Sequence, residues 1–582
     1  MNGESLHALE RFELASQHAN EVQIACLERI LKENGNAEYL QNLGLDGRTD
    51  VASFKSCVPV VTHQDLMPYI NRIVDGDMSS VLTGKSISRF SISSGTTQGK
   101  PKFVPFNNEL AKSTMEIFRT SFAFRNRRFP LGKGRALQFI YGSKQLETRG
   151  GLKASTATTN VYKSDLFKTT MKDIQSQSIS PGQVVFASDF HQSLYCHLLC
   201  GLVFSDEIQL ISSTFAHSLV NAFRSFELLY QELCEDIRVG HVSTSRVTIP
   251  SMRDAVQELL YPNPELADQI YDKCKGLKES NKDWGGVIPA IFPNVRYLYG
   301  IMTGSMEPYL NRLRHYARDV PLVCADYGAS EGWIGVNISP ESPPETASFA
   351  VLPNIGFYEF IPLRPRNEEE EVDPIGINDV RIGEEYEVVV TNFAGLYRYR
   401  LGDVVKIAGF HNQTPLLKFQ FRRNLLLSIN VDKTTEKDLQ LAIANAAVHL
   451  LESPNQIEVI DFTSHADVSS NLGHYVLFWE LNDDAVSKEI LNRCAKAMDL
   501  SLVDIGYVRS RKSNTIGALE LRLLRKGTFK KILEHYVGMG AAVSQFKTPR
   551  CVGRSHGRVL QILSENVIGN YFSNAYNQSI KK

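Results

Sequence analysis

The sequence predicts an α/β protein in two parts: a large N-terminal domain of mixed β-sheets and helices over residues 1–425, and a small α+β domain over residues 426–582. Three observations predict it. A chain of 582 residues exceeds the roughly 250–300 at which a single core stops growing. Helical and strand patterns alternate as far as Cys324, which is the mark of helices layered on a mainly parallel sheet. A β-rich stretch from Phe349 to Ile407 then closes, and a second, shorter alternation of helices and strands fills the remainder.

Residues 5–34 show helical apolar spacing (Leu9, Phe12, Val22, Leu27, Ile30, Leu31) that stops at Asn34-Gly35, a helix or helix pair. Val58-Pro59-Val60-Val61 reads as a short extended piece before a helix beginning near Asp65. Leu110, Thr114, Ile117, Phe118 and Phe122 fall on one face of a helix, and the Thr114 hydroxyl in that apolar stripe needs a partner, which a ligand can supply. Strands are expected at Ala136–Tyr141, Val184–Phe186, Ile208–Ile211, Val295–Tyr299 and Leu322–Cys324. Helices are expected over 218–236 and 251–279. Between the first two strands, Gly150-Gly151 and the uncharged, hydroxyl-rich Ser155 to Asn160 form a loop that suits either a pocket lining or an exposed turn. Ser339 to Pro344 is a surface loop, and Glu368 to Glu371 a solvated charge run.

The β-rich stretch comprises Phe357–Ile361, Tyr386–Val390 and Val404–Ile407, followed by a polar linker over 408–430. Beyond it come a helix over 436–451 with Thr435 and Asp438 spaced as a capping box, strands at Ile457–Ile460 and Tyr475–Trp479, a helix near 484–499, a strand at Ala518–Leu523 and a helix near 528–537. There is no internal repeat and no extended low-complexity tract.

Composition narrows the function classes. With 63 basic and 64 acidic residues the net charge is −1, so no electrostatic footprint for nucleic acid or an anionic membrane stands out. The polar N-terminus lacks the apolar segment of a signal peptide, and no uncharged run approaches the roughly 18–20 residues of a membrane span. Nine scattered cysteines without a C-x-x-C pair suit reduced thiols, and Cys196 and Cys200 read as buried small hydrophobes rather than metal ligands. A cytoplasmic enzyme or binding protein is expected.

Three segments carry chemistry. Ser93-Ser94-Gly95-Thr96-Thr97-Gln98-Gly99-Lys100-Pro101-Lys102 reads as a phosphate cradle, because glycines let backbone N–H groups converge on an anion while hydroxyls and lysines add donors and charge. It is not a Walker P-loop, since Pro101 stands where that motif needs Ser or Thr, and a plain hairpin turn between Ile92 and Phe103 explains it as well. Tyr327-Gly328-Ala329-Ser330-Glu331 offers an aromatic ring for an adenine and a carboxylate for Mg2+, which prefers oxygen. Tyr397-Arg398-Tyr399-Arg400-Leu401-Gly402-Asp403 ends in a carboxylate that can accept from both ribose hydroxyls. A competing reading is the G-x-S-x-G nucleophile elbow in Gly328–Gly332, with His217 or His315 as base. It fails on context, because Trp333 to Ile338 reads as extended where an elbow needs a helix.

The order of these segments resembles the adenylate-forming superfamily. The inserted Gln98, the Tyr-Arg-Tyr-Arg-Leu-Gly-Asp form and Gly300-Ile301-Met302-Thr303-Gly304-Ser305-Met306 are similar to one branch, the plant acyl-acid amido synthetases of the Gretchen Hagen family. The helical runs Phe118 to Arg127 and Ser193 to Leu199 resemble its jasmonate-conjugating members and speak for kinship rather than chemistry.

The resemblance implies a large ATP- and acyl-acid-binding domain, a small mobile domain, and two half-reactions with ATP and Mg2+. A carboxylate is first adenylated, and an amino-acid amine then captures the acyl group. It further implies that Ser91, Ser94, Thr96 and Thr97 hold the phosphates, with Thr114 and Asn160 where nucleotide and acid meet. Tyr327, Gly328, Ser330, Gly332 and Trp333 would surround the adenosine, Glu331 the metal and Asp403 the ribose. Lys547 matches the small-domain lysine that the family brings to the nucleotide, a catalytic role shared with Glu331. Thr158, Val161, Tyr162, Ala325 and Asp326 would face the acid, and strand 519–523 can approach the ligand or simply pack in its sheet. The expected acid is jasmonate and the expected amino acid isoleucine, with no nucleic-acid or membrane partner. Auxin or benzoate, a thioester ligase using coenzyme A, and a nucleotide-binding regulator without catalysis are the alternatives.

Overall fold

The computed structural model describes the chain apart from residues 1–2, 98–99, 133, 143–144, 165–166, 168–177, 188, 280–282, 364–371, 424–426, 430–431, 433, 454–456, 471, 484, 540, 544–545, 554–555 and 577–582. The charge run Glu368 to Glu371 and the inserted Gln98 therefore lie outside the described residues. Two compact units are present: one of Met1–Gly95, Pro101–Leu401 and Val405–Phe419, the other of Thr96–Lys100, Gly402–Val404 and Gln420–Lys582.

The first unit opens with helices Gly3–Gln17 and Ala19–Asn34, and Cys26, Leu27, Ile30 and Leu31 of the second are buried at helical spacing. Val61 makes a short parallel bridge to Tyr399 before helix His63–Val74, whose start is fixed by a reciprocal Thr62–Asp65 capping box. Arg89–Thr97 and Lys100–Phe106 are adjacent strands of a four-stranded sheet completed by Lys153–Ser155 and Leu146–Glu147. The candidate cradle thus lies along a strand pair. Helix Asn108–Arg128 follows, capped by the Asn107 side chain on the Leu110 N–H.

Arg135–Phe139, Ile208–Phe215, Tyr297–Ile301 and Leu322–Cys324 form the expected parallel sheet, every pairing parallel. Helix Ala216–Val239 buries Leu219, Val220, Phe223, Phe226, Tyr230 and Leu233 in one apolar stripe, and it contacts two of these strands. Leu322, Val323 and Cys324 are all buried, so the strand is a continuous apolar run rather than an alternating one. The β-rich stretch joins a seven-stranded sheet in the order Phe357–Pro362, Glu385–Thr391, Tyr399–His411, Thr414–Arg422, Phe349–Val351, Gly332–Val336 and Tyr327–Ala329.

The second unit has a sheet of Val459–Asp467, His474–Leu481, Glu520–Leu524 and Val567–Phe572, in which only the central pair is parallel. Helix Glu436–Ala447 carries the expected Thr435–Asp438 capping box and, with helix Lys488–Ser501, supplies the apolar cover. Strand Glu520–Leu524 is paired on both sides, with Leu521 and Leu523 in the core.

Four expectations need correction. The helix expected over 251–279 is two, Pro250–Gln257 and Pro264–Glu279, parted by a stretch that holds Pro262. Val184-Val185 belongs to a short helix, Gly182–Val185, opened by Pro181, so a short apolar run has followed its proline rather than its β-branched residues. Residues 408–422 are no linker: they form the end of strand Tyr399–His411 and strand Thr414–Arg422, turned at Asn412 with φ of 50°. The hydroxyl-rich segment is not a loop, because Thr156 caps helix Ala157–Tyr162. Among the described residues all nine cysteines are free, and Cys196 and Cys200 are buried on helix Phe190–Val203.

Candidate active site

The second motif is a β-hairpin. Gly332 pairs with Ala329 across a two-residue turn, Ser330-Glu331, and Trp333 pairs with Gly328. A Cβ on Gly328 would lie 2.5 Å from the Trp333 ring, so only glycine lets that indole fold over its own strand. No helix follows Ser330, which removes the nucleophile elbow. His217 is engaged with Asn221 at 2.9 Å and His315 with the Asp283 carbonyl at 2.6 Å.

Glu331 is held from two sides. Its backbone carbonyl accepts from the Asn392 side chain at 2.7 Å, and its Oε1 accepts the Tyr399 hydroxyl at 3.2 Å. Glu331 is only 7% exposed, and among the described residues it forms no salt bridge. A buried carboxylate whose side chain is held by a neutral hydroxyl fits a cation ligand. Among the described residues no three His, Cys, Asp or Glu side chains converge as a metal cage. A single carboxylate suits a cation that keeps waters and binds phosphate oxygens.

The Tyr-Arg-Tyr-Arg run divides its labour. Tyr397 is buried, stacks on Tyr39 with centroids 5.9 Å apart and donates to the Leu82 carbonyl at 2.8 Å. Arg398, at φ of 46°, makes a bidentate pair with Glu359 (3.0 and 3.1 Å) and donates to the Lys55 and Val58 carbonyls. Arg400 makes a second bidentate pair with Glu387 at 3.0 and 2.7 Å. The two arginines and Tyr397 lock the strand, leaving Tyr399 to reach Glu331. Tyr327 is buried with its ring beside Phe349 and Phe419, and Trp333 meets Phe118 edge to face at 5.2 Å.

Ser91 and Asn160 are brought together and fully buried. The Asn160 amide donates to the Phe90 carbonyl at 2.8 Å and to Ser91 Oγ at 3.2 Å, and its Oδ1 accepts from Ser155 at 2.6 Å. The parallel register Ser91 to Ser155 aligns these side chains. Thr114 donates to the Leu110 carbonyl at 2.9 Å, so its hydroxyl proton finds its partner inside the helix and the apolar stripe does not by itself require a ligand there. The side chains of Ser94, Thr96 and Thr97, all on strand Arg89–Thr97, lie outside the described residues.

Val161 is buried in an apolar cluster with Phe106, Leu110, Met115 and Phe167, against which Phe118 and Tyr162 pack. Burial pushes the Tyr162 hydroxyl up to about 12, with Arg125 opposing the shift. Thr158 is half-buried on the same short helix. Ala325 is buried and donates its N–H to the Gly300 carbonyl. Asp326 accepts from the Tyr299 hydroxyl at 2.9 Å and the Asn337 N–H at 3.0 Å; burial raises its pKa while Arg125, 4.0 Å away, opposes. Arg125 lies 3.8 Å over the Tyr299 ring, so the run read only as kinship also supplies a buried cation.

The second unit holds the remaining candidates. Asp403 is buried and its Oδ1 accepts from Arg422 Nε at 2.7 Å. Lys547 is exposed at its surface yet closely surrounded, and its pKa is pushed down to about 8, first by lost solvation and then by Arg422, against the pull of Asp403 and Glu436. Its neighbours are anchored: Phe546 is buried, Thr548 donates to Asp461 Oδ2 at 2.5 Å, and Arg550 pairs with Asp461 and donates to the Phe462 carbonyl at 2.7 Å. Ser464 and Thr463 bind the carbonyls of Arg550 and Pro549. The lysine is therefore mounted on strand Val459–Asp467 rather than on a loose loop. Sequence reasoning assigned no supporting role to Tyr399, Arg422, Asp461 and Arg550; Tyr399 carried a signal in its place in the motif, and Arg550 in lying three residues from Lys547.

Comparison with known proteins shows the family. The GH3 family N-terminal domain matches residues 8–322, its central domain 349–422 and its C-terminal domain 437–556. A jasmonoyl-L-amino acid synthetase of Nicotiana attenuata is 63% identical over 98% of this chain and 97% of its own. Another of Oryza sativa subsp. japonica is 59% identical over 98% of both. The solved GH3.15 acyl acid amido synthetase superposes with a TM-score of 0.88 at 33% identity, covering 97% of each chain. Matched along nearly its whole length in sequence and in fold, the chain belongs to the GH3 family.

Proposed function

We propose that this chain adenylates jasmonate with ATP and transfers the acyl group to the amine of an amino acid, isoleucine being our choice, to give an amide. The observation that carries this reading is 63% identity, end to end, with a relative that bears the name jasmonoyl-L-amino acid synthetase. In the first half-reaction a carboxylate oxygen attacks the α-phosphorus and pyrophosphate leaves. In the second the amine attacks the activated carbonyl, AMP leaves and the amine proton is released.

The residues take these roles in our reading. Ser91, Ser94, Thr96 and Thr97 donate to phosphate oxygens, supported by the Ser91–Asn160 pair. Thr114 and Asn160 border nucleotide and acid. Tyr327, Gly328, Ser330, Gly332 and Trp333 surround the adenosine, and Asp403 accepts from the ribose. Glu331 would hold Mg2+, which when bound offsets the crowded phosphate charge. Lys547 presents its cation where charge develops during adenylation. Thr158, Val161, Tyr162, Ala325 and Asp326 form the acid site, whose apolar wall at Val161 and Phe118 suits a hydrophobic acid.

We take 1–425 and 426–582 as the functional domains, the second mobile, and the cytoplasm as the compartment, in keeping with nine free thiols. Among the described residues no helix is long and apolar enough to cross a membrane. The test is product analysis by mass spectrometry after incubation with ATP, Mg2+, each acid, and either an amino acid or coenzyme A. A jasmonoyl-isoleucine amide supports the reading. An auxin or benzoyl amide corrects the acid, a thioester corrects the acceptor, and absence of any acyl product overturns it.

A further inference from the structure

His63 stands at the first turn of helix His63–Val74, immediately after the Thr62 cap. Two residues earlier, Val61 is stitched to the third motif: its N–H donates to the Arg398 carbonyl at 3.0 Å and its carbonyl accepts the Arg400 N–H at 2.8 Å. The bridge between Val61 and Tyr399 brings this segment alongside the tyrosine whose hydroxyl holds Glu331. On the other side His63 Nε2 lies 3.1 Å from the Phe103 carbonyl, on the strand that follows the cradle. His63 thus ties together strands from two of the three motif-bearing segments and feels the charge of Glu331 and of Lys102.

Its other nitrogen has no hydrogen-bond partner among the described residues. The ring is 9% exposed, and Nδ1 is buried without a hydrogen bond from any described residue. Because a carbonyl only accepts, Nε2 must carry the proton toward Phe103, so Nδ1 of the neutral ring is a lone pair. Buried polar atoms are nearly always satisfied, and one left without a partner next to candidate site residues has a water or an ion among its ordinary explanations. Burial lowers the ring's pKa, which agrees with a neutral imidazole. Mg2+ takes oxygen ligands and keeps several waters, so a nitrogen lone pair on the segment bridged to Tyr399, the hydrogen-bond partner of Glu331, suits a bound water rather than the ion.

We propose that His63 Nδ1 accepts a hydrogen bond from a water on the cation held by Glu331, making His63 an outer-shell member of the nucleotide site. The inference rests on the reading of Glu331 as the cation ligand given above. His63→Gln keeps an amide donor for Phe103 and removes the Nδ1 acceptor; His63→Asn keeps an acceptor near Nδ1 and removes the link to Phe103.

Calorimetric titration with adenosine 5′-(α,β-methylene)triphosphate, with and without Mg2+, tests it on the full chain. His63→Gln is expected to weaken Mg2+-dependent binding about 10- to 100-fold, the usual cost of losing an outer-shell partner, and to leave metal-free binding unchanged. His63→Asn is expected to retain most of the Mg2+ effect. In the wild type, the His63 ring nitrogens, assigned by difference from whichever variant folds, should show Nδ1 changing on Mg2+-nucleotide addition and not on nucleotide alone. If the wild type gains no affinity from Mg2+, the reading of Glu331 fails and this inference with it. If the wild type and His63→Gln gain equally, or Nδ1 does not respond, this inference alone is overturned.

Discussion

The Tyr399 hydroxyl donates to Glu331 Oε1 at 3.2 Å, linking side chains 68 residues apart and joining the second motif to the third within one unit. Both are buried, at 2% and 7% exposure, so this bond sets where the carboxylate points. The orientation of this carboxylate is thereby entrusted to a neutral partner, which on the proposed role of Glu331 leaves its negative charge for a cation.

Tyr399→Phe should lower the adenylation rate about 10-fold or more, since a hydrogen bond to an ionised group contributes roughly 1.5–3 kcal/mol. The Mg2+ concentration needed for half-maximal pyrophosphate release should rise in parallel. Glu331→Ala should abolish most adenylation with the thermal midpoint little changed. A pyrophosphate-release assay across Mg2+ concentrations, with a melting curve for each variant, checks both.

Lys547 predicts an alkaline limb. The role proposed for Lys547 needs its cation, and its pKa is pushed down to about 8, so the ammonium is present below that pH and lost as pH rises through it. Adenylation should fall above about pH 8 accordingly, and Lys547→Arg should move the limb upward because guanidinium stays charged. Lys547→Ala should cost about 10²–10³-fold, the scale of one well-aimed donor. A pH–rate profile of the first half-reaction for the three proteins decides this.

Asp461→Asn removes the carboxylate charge from the ion pair with Arg550, which is 3% exposed. Breaking this buried pair should destabilise the small unit by about 3–5 kcal/mol. Thr548→Val removes only the hydroxyl bond to Asp461 and should cost about 1 kcal/mol, so urea unfolding of the two variants separates charge from hydrogen bonding.

Val161→Ala should reduce discrimination between jasmonate and a slimmer acid. A pocket contact of one or two methylenes is worth about 1–3 kcal/mol, and kcat/KM for two acids measured side by side reads it out. Phe118 and Tyr162 pack against the same cluster, so their truncation should act in the same direction.

Much of this was legible in the sequence because periodicity and caps are local. The Thr435–Asp438 box fixed a helix start to the residue, and the extended reading of Trp333 to Ile338 correctly denied a nucleophile elbow. Errors fell where a local signal had two meanings. His411-Asn412-Gln413 reads equally as a linker or a hairpin turn, and only pairing of Thr414–Arg422 with its neighbours decides. Thr156 is a hydroxyl in a loop until the helix it caps exists. Thr114 illustrates the limit from the other side, since a hydroxyl in an apolar stripe needs a partner but its own helix can supply one. His63 and Asp461 were invisible because their partners, Phe103 and Arg550, lie 40 and 89 residues away.

The most direct test of the account is acid-dependent exchange of labelled pyrophosphate into ATP with no amino acid present. The account predicts exchange that requires jasmonate and Mg2+ and is nearly lost in Glu331→Ala. Exchange that no carboxylic acid stimulates, in protein that still binds ATP, would contradict it.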